Sequence, residues 1–100
     1  MDETTDEYLA RIAREAQVAV LQRCRYAWWG GQGDPAHSFI HAEPKEYASV
    51  NALIEQGLVV VTTVSERCIF LRATDQLMAA WLADHETLDI PGTPTEEYLK

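Results

Sequence analysis

No apolar run in this chain approaches the roughly 18 residues that cross a bilayer, so a membrane-spanning helix is not expected. Cysteine is scarce: Cys24 and Cys68 are the only two, too few for a disulfide framework. One falls in a helical pattern and one in a strand pattern, and both read as buried free thiols. Positive charge is also scarce. Eight Lys and Arg stand against 16 Asp and Glu, for a net charge of −8. Such a chain repels a phosphate backbone at long range, which disfavours nucleic acid as a direct partner. There is no internal repeat and no low-complexity segment. The start, Met1 to Glu7, is acidic and polar, the opposite of a secretory signal, so the expected compartment is the cytoplasm.

Catalytic chemistry has few footholds. His37 and His41 are four apart with Glu43 behind them, a spacing that binds metal only if the segment is helical. No neighbouring Cys pair or His-Glu motif supports that use, and no metal or other cofactor is assigned. Gly30-Gly31-Gln32-Gly33 follows a helix, carries no lysine and reads as a turn, not a phosphate cradle. Ser38, Ser49 and Ser65 lack a nucleophile-elbow context. A chain of 100 residues has little room for a deep closed pocket, so the expectation is a non-enzymatic protein.

What is present is the material of one compact core. Length and a 47% apolar content fit a single domain over residues 1–100, with the acidic ends 1–6 and 88–100 as candidate flexible segments. Thr4-Thr5-Asp6-Glu7 fits a capping box and opens a long helix to about Trp28. Leu9, Ile12, Ala13, Ala16, Ala19, Val20, Cys24 and Ala27 form its expected core stripe. The segment His37–Ala42 reads equally as a short strand or a helical turn. A second helix starts near Pro44, buries Tyr47, Val50, Leu53 and Ile54, and ends at Gly57. Leu58–Val64 and Cys68–Thr74 predict an antiparallel hairpin around Ser65-Glu66-Arg67. A third helix, capped by Thr74 or Asp75, sets Leu77, Met78, Trp81, Leu82 and His85 on one face and fades near Leu88. The fold class is α+β: three main helices with an antiparallel hairpin, or a small three-stranded sheet if Phe39–Ala42 joins it.

Charge is unevenly spread. Residues 1–7 carry four acids and no base, and residues 84–100 carry five acids and one base. Residues 8–33 carry four arginines and one acid. At about 100° per residue, Arg11, Arg14, Val18 and Arg25 cluster on one face of the first helix, flanked by Leu21 and Trp28. Tryptophan and arginine are common interface anchors. The candidate partner-binding residues are therefore Arg11, Arg14, Arg25, Trp28 and Trp29, with the acids Asp84, Glu86 and Asp89. The partner they suit is a protein with a basic or mixed-charge surface, or a second copy of this chain.

The stretch Leu53-Ile54-Glu55-Gln56-Gly57-Leu58-Val59, followed by a hairpin, resembles the back half of a winged-helix domain. The resemblance covers about a third of the chain. It implies two helices ahead of the wing, the earlier one falling on His37–Ala42. It also implies a dimeric DNA-binding regulator, joined through the first helix, with Lys45, Asn51 and Arg67 on the nucleic acid. In size and charge the chain is also similar to small acidic phage proteins such as the anti-CRISPR inhibitors. That similarity implies a protein-binding module that inhibits or adapts a nucleic-acid-handling complex by occupying its basic surface. A self-associating assembly subunit is the third expectation.

Overall fold

The computed structural model describes residues 3–84. Helix α1 spans Thr5–Gly30, strand β1 Phe39–Ala42, helix α2 Tyr47–Glu55, strand β2 Val59–Val64, strand β3 Ile69–Ala73 and helix α3 Asp75–Asp84. Short 3-10 turns at Pro35–His37 and Pro44–Glu46 lead into β1 and α2 respectively from their amino-terminal sides. The fold is α+β, three helices against one antiparallel sheet in the order β1-β3-β2.

Local signals set most of the boundaries. Thr4 caps α1, its Oγ1 accepting from the Glu7 amide at 3.1 Å. Asp6 and Glu7 complement the positive end of the helix dipole. At the far end Gln32 and Gly33 take positive φ, and the chain reverses there. The acidic start is therefore helical from Thr5 onward, while residues 88–100 and His85 lie outside the described residues.

Helix α2 ends as its glycine dictates. Gly57 has φ +76°, and its amide donates to the Ile54 carbonyl at 2.9 Å. The next amide, Leu58, donates back to the Leu53 carbonyl at 3.0 Å, which launches β2. The hairpin loop closes through the Ser65 amide on the Cys68 carbonyl at 2.9 Å. Thr74 then ties three elements together. Its hydroxyl donates to the Gly57 carbonyl at 3.0 Å and accepts from the Leu77 amide at 3.3 Å, capping α3.

His37–Ala42 is not a helix. His37 closes a 3-10 turn and Phe39–Ala42 pairs with β3, Ile40 opposite Leu71 and Ala42 opposite Ile69. The earlier of the two helices that the winged-helix resemblance implies ahead of the wing therefore does not fall on His37–Ala42. The sheet buries Ala42, Val59, Leu71 and Ala73 against the helices, while Phe39 and His41 point outward with alternate register. Val20, Leu21, Cys24 and Trp28 of α1, Val50 and Leu53 of α2, and Leu77, Met78 and Trp81 of α3 complete the core. Ile54 and Leu82, expected inside, are exposed at 40% and 50%. Each sits at the edge of a short helix whose inward face already holds larger or better-placed residues.

Gly31 and Gly30 are adjacent but unequal. A Cβ on Gly31 would lie 2.7 Å from the His37 carbonyl oxygen, whereas one on Gly30 meets nothing within 4 Å. Gly31→Ala is expected to cost about 1–3 kcal/mol through overpacking. Gly30→Ala is expected to be neutral or stabilising by up to about 1 kcal/mol, since it lies in helix. Thermal unfolding of the two variants checks the contrast.

Candidate protein-binding surface

Helix α1 divides into two unlike halves. From Val20 to Trp28 it buries Val20, Leu21, Cys24, Arg25 and Trp28. From Thr4 to Ala16 every residue is exposed, including Tyr8 at 46%, Leu9 at 57% and Ile12 at 41%. At about 100° per residue, Leu9, Ile12, Ala13 and Ala16 span one sector, and the buried residues span another. The mean directions differ by about 100°. The apolar face therefore turns around the helix between its halves. Only the second half is buried against the sheet and the other helices, and the described residues leave the first stripe exposed. Of the expected core stripe, Val20 and Cys24 are buried while Leu9, Ile12, Ala13, Ala16 and Ala19 are exposed, and Leu21, Arg25 and Trp28 of the face expected outside are buried instead.

Of the expected contact residues, Arg25 and Trp28 are not on the surface. Arg25 is 1% exposed and Trp28 is 3% exposed. The Arg25 guanidinium lies over the Trp28 ring at 5.7 Å and over the Trp81 ring at 5.3 Å. The two indoles meet at 5.5 Å between centroids, tilted by 51°. Trp81 sits in α3, far along the chain, and Arg25 packs inward against it. A guanidinium suits that place because its flat, weakly hydrated plane stacks on aromatic faces. Trp29, one residue on, is turned outward and is 41% exposed.

Arg11 and Arg14 do lie on the outer surface of the first half. Arg11 bridges Glu3 and Glu15, each at 3.0 Å, and sits 5.3 Å above the Tyr8 ring. Its bonds to Glu3 and then Glu15 hold its pKa above the ordinary arginine value. Asp84 ends α3, well apart in sequence from this patch, and Glu86 and Asp89 lie outside the described residues. The structure thus leaves Arg11 and Arg14 exposed on the same half of α1 as Tyr8, Leu9 and Ile12, with Arg14 on the side of the helix away from Leu9 and Ile12. Tyr8, Leu9 and Ile12 were not among the candidates, because a leucine or isoleucine in a helical stripe reads as core.

Two further arrangements bear on chemistry. Arg23, which the sequence did not mark, pairs with Glu46 and donates to the His41 carbonyl, pinning α1 to β1 and the turn before α2. His37 and His41 fall in a 3-10 turn and a strand, so the shared helical face that would pair them does not form. The His37 ring instead sits 3.0 Å from Asp34. Asp34 is held below the ordinary carboxylate range, first by the Ala36 amide and then by that ring. Among the described residues no group of three or more His, Cys, Asp or Glu is placed to hold a metal ion. A groove of about 360 Å³ between the end of α1 and α3 is lined by Trp28, Pro35, Met78 and Leu82, with Asp75 as its titratable side chain. Asp75 is paired with Arg72 at 2.9 Å.

The site is thus an exposed, amphipathic helical arm carried by a small α+β domain. Compared with family models, curated proteins and solved structures, the chain matches none of the three. Among the described residues no helix is long and apolar enough to cross a membrane.

Two outcomes follow from the buried groups. Arg25→Ala is expected to destabilise by about 3 kcal/mol or more in denaturant titration, because it empties a buried site beside two indoles. Arg67→Ala, on the exposed hairpin tip, is expected to stay within about 0.5 kcal/mol. Burial raises the Cys24 thiol from 9.0 to about 12. A raised thiol pKa adds stability that is full below pH 9 and is lost as pH climbs towards 12. Native labelling at pH 8 is therefore expected to modify Cys68 and to reach Cys24 only on unfolding, and mass spectrometry checks it.

Proposed function

We propose that this chain is a non-enzymatic protein-binding module that engages its partner through the first half of α1. The observation that carries the reading is the exposed stripe of Tyr8, Leu9 and Ile12 on a helix whose residues from Thr5 to Ala16 are all exposed. Isolated helices of that length are marginal in water, and most helical stability in proteins comes from packing an amphipathic face. A helical arm with such a face is built to be covered.

The charge balance supports a protein rather than a nucleic acid. Arg11, Lys45 and Arg72 each lie within 4 Å of a carboxylate, at 3.0, 3.6 and 2.9 Å, and Arg23 is paired with Glu46. Arg25 is buried. Of the residues the winged-helix resemblance would place on DNA, Lys45 and Asn51 sit on or just before α2, and Arg67 sits at the hairpin tip beside Glu66. That spread is unlike the clustered cations that duplex binding needs. The finer form of the proposal is an inhibitor or adaptor of a nucleic-acid-handling complex, with the net charge of −8 set against a basic surface. Size and charge support that form.

The test compares the wild-type chain with Leu9→Asp/Ile12→Asp. Both side chains are exposed, so circular dichroism should report a retained core. The wild type is expected to retain protein from a lysate of its source and the double variant to lose it. Neither should shift duplex DNA at low salt. Unchanged retention by the double variant, or a salt-sensitive duplex shift, would overturn the reading.

A further inference from the structure

We draw no further inference here: the strongest candidate, the aromatic patch of Phe39, His41 and Phe70 on the outer face of the sheet, where the two phenyl rings meet edge to face at 5.9 Å between centroids, carries nothing because nothing in the structure shows what covers it.

Discussion

The placement of α1 depends on one three-membered contact, in which the Arg25 guanidinium lies beside both the Trp28 and the Trp81 rings, themselves 5.5 Å apart. It joins the end of the first helix to the last described one. A cation is taken almost wholly out of water there, and the faces of two indoles replace part of its hydration. Removing either ring would leave a buried charge with less to stabilise it. The contact also fixes the rotation of α1 about its own axis. Once Arg25 and Trp28 point inward, Val20, Leu21 and Cys24 must follow on the same sector. Leu9 lies only about 20° from Val20 around the axis but about 16 Å further towards the amino-terminal end, where it is 57% exposed. The stripe is exposed because burial of α1 begins only at Val20.

The rest of the core supports that anchoring. Arg23 grips Glu46 and the His41 carbonyl, and Gln56 donates to Gln17 at 3.1 Å, so α1 is tied to β1 and α2 along its second half. The sheet is small, with β3 central and a register shift between Val61 and Thr63 that bends β2. On the amino-terminal side of Gln17 every residue of the helix is exposed. An arm of this kind is costly to leave in water, because its apolar side chains gain nothing from burial there. That cost is the physical basis for assigning the arm to binding.

Local features were readable from residues alone. The Thr4 cap, the Gly57 turn and the Ser65-Glu66-Arg67 loop are short-range chemistry, and each appears where the residues place it. The sheet's third strand was an open choice, because Phe39–Ala42 is too short to show a period, and pairing with Leu71 and Phe70 decided it. The candidate surface was legible only in part. Arg11, Arg14 and Trp29 are outside, as their types suggest. Arg25 is inside because of Trp81, a contact across more than fifty residues that no local pattern encodes. The spacing of Arg25 and Trp28, three apart and on one helical face, was the available hint. Leu9 and Ile12 were missed for the converse reason. Periodicity identifies an apolar face but does not say whether the chain itself covers it.

Residue-resolved amide hydrogen exchange along α1, recorded on a dilute sample, tests this account most directly. Amides from Val20 to Trp28 should exchange only at the rate of global unfolding, because the Arg25 contact and the core hold them. Those from Tyr8 to Ala16 should exchange orders of magnitude faster, with protection returning as the partner is added. Equal protection along the whole helix in the dilute chain would contradict the account, since the first half would then be held by the fold itself.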